Sequence, residues 1–280
     1  MYDLSGKVAI VTGAGGVKGF GRAIARRLAK EGTDVVVVDR TRCPVRAEEI
    51  ADNWEGIDSV ASEIKALGRQ ALAIACDITK SKEVDQMINE TITRLGKVDI
   101  LVNNAGIKIN RSVLELTDEI WNIHLAVNLT GMFYCSRAAA REMVKRGKGG
   151  KIINIGSLWS KVGSGNQDIP YCVSKFGVVG LTQSLALELA PHNIIVNAVC
   201  PALTDTGFNT ELFKSRAQSQ GITPQEASRR MHEGVAATFP LRRLGTAEDV
   251  ANMVAFLASD QSDFITGQSI NVNGGAFTAH

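Results

Sequence analysis

Seven short runs of β-branched and aliphatic residues recur along this chain, with longer segments of helical period between them. They are Val8 to Val11, Val35 to Val38, Ala71 to Ala75, Ile100 to Val102, Ile152 to Ile155, Ile194 to Val199 and Ser269 to Val272. Each run is continuously apolar rather than alternating. Strands buried on both faces of a parallel sheet need that pattern. Strand–helix alternation predicts an α/β fold with a doubly wound, seven-stranded parallel sheet. The 280 residues are 45% hydrophobic, enough for a sizeable core. No repeat, linker or low-complexity tract interrupts them, so residues 1–280 read as a single domain.

One helical pattern runs from Thr117, its N-cap, to Lys145. Two segments exceed what such connections require. Thr41 to Gly56 is polar, with Pro44 and Trp54. Residues 204–238 are rich in polar and charged side chains and leave the sixth strand, where an open sheet presents its ligand crevice. They read as a substrate lid, with Gly207, Gly221 and Gly234 as flexible points. Phe208, Leu212 and Phe213 would supply an apolar wall, and Arg216 or His232 would reach a polar group. The plainer alternative is a surface helix pair that never touches substrate.

The formal net charge of +2 offers no electrostatic case for nucleic acid or an anionic membrane. No apolar run approaches a membrane span. The five cysteines lie far apart without a CxxC pair or a nearby histidine, so no metal site is expected and the thiols read as reduced. With no signal-peptide layout at Met1 to Lys7, the reading is cytoplasmic.

The first strand runs into Thr12-Gly13-Ala14-Gly15-Gly16-Val17-Lys18-Gly19-Phe20-Gly21, then a helix from Arg22. Glycines let the backbone approach a pyrophosphate, and the helix N-terminus supplies N–H donors, as in a Rossmann-type nucleotide site. Asp39 ends the second strand, where a carboxylate bonds a ribose hydroxyl and repels a 2′-phosphate. That favours NAD over NADP. Arg40, Arg42 and Lys18 argue the other way, as cations able to accept a phosphate.

Downstream, Tyr171 and Lys175 sit four apart and share one helix face. A free phenol titrates near pH ~10. A neighbouring ammonium lowers such a value by roughly one to three units, towards the range where a phenol exchanges protons efficiently.

With these motifs in hand, the chain resembles the short-chain dehydrogenase/reductase family from Leu4 to Gly275. The matching residues are Thr12 to Gly21, Asp77, Asn103-Asn104-Ala105-Gly106, Asn128, Ser157, Tyr171/Lys175, Pro201 to Thr206, Thr266-Gly267-Gln268 and Asn273-Gly274-Gly275. The resemblance implies Tyr171 as acid/base, with Lys175 lowering its pKa and binding the nicotinamide ribose. Ser157 would bond the substrate oxygen, and Asn128 would hold a water linking Lys175 to solvent. The cofactor would be held by Gly13, Gly19, Phe20, Gly21, Asp39, Arg40, Asp77, Ile78, Asn104, Ala105, Gly106, Tyr171, Lys175, Pro201, Thr204 and Thr206, with Ile10 as core beneath it. Three features depart from the family pattern. Gly19 and Gly21 come two residues late, Pro201-Ala202 replaces Pro-Gly, and Ser157 stands one residue further from Tyr171, which keeps Ser160 in reserve.

The implied activity is interconversion of a secondary alcohol and a ketone with NAD(H) as cofactor. A 3-oxoacyl thioester reductase is the alternative enzyme, and a non-catalytic nucleotide sensor the alternative class. A homotetramer paired through Thr117 to Lys145 and Pro170 to Leu189 is also implied. His124 and the three tryptophans read as packing, although Trp159 is close enough to Ser157 to line a pocket.

Overall fold

The apolar runs lie side by side, all pointing the same way. The structure is a computed structural model that describes residues 2–43, 54–204, 206 and 210–278. Among them seven strands form one sheet: β1 (Val8–Thr12), β2 (Asp34–Asp39), β3 (Ala71–Ala75), β4 (Ile100–Asn103), β5 (Gly150–Ile155), β6 (Ile194–Pro201) and β7 (Ser269–Val272). Their order is β3-β2-β1-β4-β5-β6-β7, parallel throughout. Each expected run lies within one strand.

The helices are α1 (Phe20–Lys30), α2 (Ile57–Ala66), α3 (Ser81–Leu95), α4 (Asp118–Leu125), α5 (Met132–Arg146), α6 (Ile169–Leu189), α7 (Thr210–Gln220), α8 (Pro224–Thr238) and α9 (Ala247–Ala258). Alternate strand residues feed two cores. Ala9, Val11, Val35 and Val102 pack with Ile24, Leu28, Ile64 and Val254 on the side of α1, α2 and α9. Ile10, Val36, Leu101 and Ile152 pack with Met87, Cys135, Met143 and Ala186 on the side of α3, α5 and α6. Burial on both faces is why these strands carry no polar alternation.

The chain winds from β1 outward to β3, then returns to place β4 beside β1 on the other side. The loops after β1 and β4 therefore diverge, and a crevice opens at their carboxyl ends. No helix among the described residues is long and apolar enough to cross a membrane.

The single helix expected over Thr117 to Lys145 is three pieces. Thr117 caps α4 as expected, accepting the Ile120 N–H at 3.4 Å. A π-helical stretch, Ala126–Gly131, then separates α4 from α5. Such wide turns commonly mark functional sites. This one carries buried Asn128, whose carboxamide accepts the Ile107 N–H at 2.8 Å and donates to the Ile107 carbonyl at 3.0 Å.

Within the segment 204–238 lie the paired helices α7 and α8. Phe213 is buried and meets His232 edge-on, ring centroids 5.4 Å apart, so His232 packs within the pair. Gly221 lies in the turn between the two helices, but Gly234 lies inside α8 and is no hinge. Gly207, Phe208, and the side chains of Leu212 and Arg216 lie outside the described residues, as do residues 44–53 of the earlier insertion.

Candidate active site

Two glycines make the first loop possible. Gly13 has φ 65°, and a Cβ there would stand 2.6 Å from Ala105 Cα. A Cβ on Gly21 would strike the Gly13 carbonyl and stand 2.6 Å from Ala14 Cα. Gly19 differs. It precedes α1, and a Cβ there would meet nothing nearer than 3.8 Å. Gly19 thus leaves open space beside a helix N-terminus whose first turn holds no acid. That shape and polarity fit a pyrophosphate. Phe20 opens the helix, two residues before the expected start.

Asp39 is half-buried beside this loop. Its carboxylate accepts the Gly15 N–H at 2.9 Å and the Arg40 N–H at 2.8 Å. Trp54, expected to be packing, also donates its indole N–H to the Gly15 carbonyl at 2.7 Å. The Arg22 guanidinium lies 4.9 Å over the Trp54 ring and forks onto Glu63 at 2.9 and 2.5 Å. Exposed Arg42, a candidate phosphate ligand, is instead gripped by Asp58 at 3.0 and 2.7 Å. Arg40 remains exposed next to Asp39.

The other predicted cofactor residues lie at or after the carboxyl ends of β3, β4 and β6. Asp77 accepts the Thr79 N–H and hydroxyl at 3.1 and 2.7 Å. Ile78 is buried in the α3–α5 core. Asn104 donates to the carbonyls of Thr12 and Gly13 at 2.8 and 2.9 Å, with Ala105 and Gly106 following it. Pro201 ends β6, Thr204 bridges to Gly245, and Thr206 donates its N–H to the Thr204 carbonyl at 2.9 Å.

Ser157, Tyr171 and Lys175 converge beyond β5 and all three are buried. The Tyr171 phenol is hydrogen-bonded to Ser157. Ser160 holds Ser157 from behind, its hydroxyl accepting the Ser157 N–H at 3.0 Å. The extra residue between Ser157 and Tyr171 therefore leaves their pairing intact, and Ser160 takes the supporting place. Lys175 Nζ donates to the Ile155 carbonyl at 2.7 Å and stands 5.7 Å from the Tyr171 ring centroid.

The expected depression of the phenol's pKa is absent. Burial pushes Tyr171 up to about 12, against the pull of the Ser157 hydrogen bond, and a nearby Asp168 charge adds to the rise. Burial likewise pulls Lys175 down to about 8. Desolvation of both groups outweighs the attraction expected from their spacing.

Several contributors lie outside the sequence motifs. Buried His124 accepts the Ile109 N–H on Nε2 at 3.0 Å, and its Nδ1 bonds the Ile120 carbonyl at 2.6 Å. Burial keeps its pKa below the usual imidazole range, so it serves as a neutral clamp on the loop after β4. Asn103 donates to Ser136 and Asn154, both at 2.9 Å, and Asn154 donates to Thr182 at 2.9 Å. Asn103 of the Asn-Asn-Ala-Gly motif and an asparagine amid the apolar β5 run were the available signals for that network. Lys108 stands 5.4 Å from the Tyr171 ring centroid and 2.9 Å from Asp168. Nothing in the sequence paired those two loop residues.

Chemically, the site brings two side-chain hydroxyls, of Ser157 and Tyr171, together with the buried Lys175 amine, and the glycine loop lies at the end of the same sheet. Residues 13–277 match the family model described as enoyl-(acyl carrier protein) reductase. The chain is 39% identical over 274 residues to a short-chain dehydrogenase/reductase of Armillaria gallica, covering 96% of this chain and 95% of that one. It is 37% identical over 271 residues to a 3-oxoacyl-[acyl-carrier-protein] reductase of Staphylococcus aureus, covering 97% and 98%. Among solved structures, an NAD+-bound xylitol dehydrogenase superposes with a TM-score of 0.83 at 30% identity, covering 97% and 99%.

The glycine geometry yields a contrast. Gly13→Ala and Gly21→Ala should each cost about 1–3 kcal/mol of stability by chemical denaturation, since backbone must move. Gly19→Ala should stay within about 0.5 kcal/mol of wild type. It should still weaken dinucleotide binding by about tenfold or more in a fluorescence titration, because its methyl fills that open space.

Proposed function

The chain belongs to the short-chain dehydrogenase/reductase family, and we propose on that premise that it interconverts a secondary alcohol and a ketone with NAD(H). One observation carries this reading: the Tyr171 phenol is bonded to Ser157 beside buried Lys175, on the side of the sheet where the carboxyl ends of its strands and the glycine loop lie. A bound nicotinamide dinucleotide supplies the hydride chemistry. Ser157 and Tyr171 donate to the substrate oxygen. At neutral pH Tyr171 holds its proton, the form that protonates a ketone oxygen as it becomes an alcohol. In the oxidative direction Tyr171 must first lose that proton. Lys175, titrating at about 8, is suited to pass it on, and Asn128 would hold the water that links Lys175 to solvent.

Asp39 carries the preference for NAD. Gly19, Phe20 and Gly21 would lie under the pyrophosphate, and Arg40, Asp77 and Ile78 around the adenosine. Asn104, Ala105 and Gly106 would form the facing wall. Lys175 would hold the nicotinamide ribose, with Pro201, Thr204 and Thr206 near the carboxamide. The pair α7–α8 would close over substrate. Exposed Val173, Phe176 and Leu187 on α6, with Phe133 on α5, supply apolar faces for the homotetramer. A second reading, reduction of a 3-oxoacyl thioester, is favoured by the Staphylococcus aureus relative. Turnover of an acyl-carrier thioester in preference to free alcohols would select it.

Removing the phenolic hydroxyl should stop the reaction without emptying the cofactor site. Tyr171→Phe should lower turnover by at least about a hundredfold while dinucleotide affinity persists; a folded variant that turns over freely rules the role out. The raised Tyr171 value sets a pH dependence. Since oxidation needs the phenol ionised, its kcat/KM should climb across roughly pH 7 to 9, while ketone reduction stays flat or declines. An oxidative profile that falls over this range contradicts Tyr171 as proton acceptor. Asp39→Ser should shift the ratio of kcat/KM for NADP against NAD by about tenfold or more, with exposed Arg40 nearby to meet the phosphate. Wild-type kcat/KM already higher with NADP would refute the reading of Asp39.

A further inference from the structure

Lys108 and Asp168 stand beside Tyr171, and neither has yet been given a part in recognising substrate. Asp168 is the N-cap residue of α6, a place where aspartate ordinarily accepts a first-turn N–H. It makes no such bond. Its carboxylate is fully buried, with Oδ1 receiving the Cys172 thiol at 3.7 Å and Oδ2 facing Lys108 Nζ at 2.9 Å. Oδ2 has no aligned hydrogen bond. Interior ion pairs generally stabilise no better than apolar side chains of the same volume. What the pair does provide is position.

The loop bearing Lys108 is held along its length. Asn128 clamps Ile107, and His124 accepts the Ile109 N–H. Asn110 donates to the Asn166 carbonyl and Arg111 to the Gln167 carbonyl, each at 2.7 Å. Gln167 has φ 57°, a left-handed conformation that costs a residue with a side chain roughly 1–2 kcal/mol. Strain of this kind concentrates at functional sites. The result is an ammonium fixed 5.4 Å from the Tyr171 ring centroid, on a side chain that keeps 12% of its surface exposed. Asp168 engages one side of that ammonium, and its three protons leave donors for a ligand held at Tyr171.

We propose that Lys108, positioned by Asp168, selects the substrate by donating a hydrogen bond to an oxygen on the carbon next to the reacting one, so that the preferred class is a neutral vicinal diol or its hydroxyketone. This rests on the oxidoreductase reading above. Neutrality follows from the pairing. Asp168 already balances Lys108, and a substrate carboxylate would bring a second negative charge next to a buried one. A hydroxyl takes the same hydrogen bond and adds no charge. Sites built to bond a hydroxyl discriminate strongly against an analogue lacking it. Lys108 is thus a specificity-determining residue, and Asp168 a positioning residue acting through it.

The test compares kcat/KM for vicinal butanediol, sec-butanol and lactate. It uses wild type, Lys108→Met, Lys108→Arg and the double variant Lys108→Met with Asp168→Asn. The double variant leaves no unpaired buried carboxylate and keeps the comparison open if the single variant does not fold. Wild type should favour the diol over sec-butanol by about tenfold or more, and over lactate by at least as much. Lys108→Met and the double variant should bring the diol ratio to within about threefold of unity, chiefly through KM, and Lys108→Arg should restore part of it. An undiminished diol preference in the folded double variant overturns the proposal, as does a wild-type preference for lactate. Tyr171-dependent turnover of sec-butanol with no advantage for the diol also overturns it, yet leaves the oxidoreductase reading standing. Turnover of neither alcohol with either dinucleotide removes that reading and this one together.

Discussion

The junction between β1 and β4 is the contact on which the rest of the site depends. The Thr12 hydroxyl accepts the N–H groups of Asn104 and Ala105 at 3.0 and 3.1 Å and donates to the Val102 carbonyl at 3.4 Å. The Asn104 carboxamide returns two hydrogen bonds to the carbonyls of Thr12 and Gly13. These bonds satisfy backbone groups that the diverging chain would otherwise leave unpaired where neither loop has a strand partner. They also set the distance between the glycine loop and the loop leading to Lys108. Gly13 is needed because that distance leaves no room for a Cβ.

From this junction inward, the site trades stability for chemistry. Tyr171 and Lys175 are buried deeply enough for each to be displaced towards its neutral form. Asp168 is buried as a carboxylate, and Gln167 is held in a left-handed conformation beside it. An apolar core would do none of this. The surrounding structure tolerates it because the parallel sheet fills both of its faces with aliphatic side chains. The π-helical stretch belongs to the same pattern. It interrupts a regular helix and directs Asn128 at both backbone groups of Ile107.

Much of the fold was legible in the chain because its causes are local. Continuous apolar runs mark strands buried on both faces, and each of the seven lies within an observed strand. Thr117 caps its helix because a hydroxyl there can reach a free N–H three residues on. Helical period alone did not place the break at Ala126, where Asn128 bonds both backbone groups of Ile107 on another segment. Gly234 read as a hinge because glycine weakens helices, but its neighbours carry the helix through it.

The sequence by itself determined the layered α/β architecture, the glycine loop, and the placing of Tyr171 and Lys175 on one helix face. Each of these follows from periodicity or from the conformational range of single residues. Tertiary structure decided the rest. It turned Ser160 into support for Ser157, engaged Arg42 with Asp58, and brought Trp54 onto Gly15. It set Lys108 over Tyr171 and reversed the expected direction of the Tyr171 pKa. Spacing along a helix fixes which charges are neighbours, but their energies depend on how much water is excluded around them. That is a property of the packed fold, to which distant segments contribute.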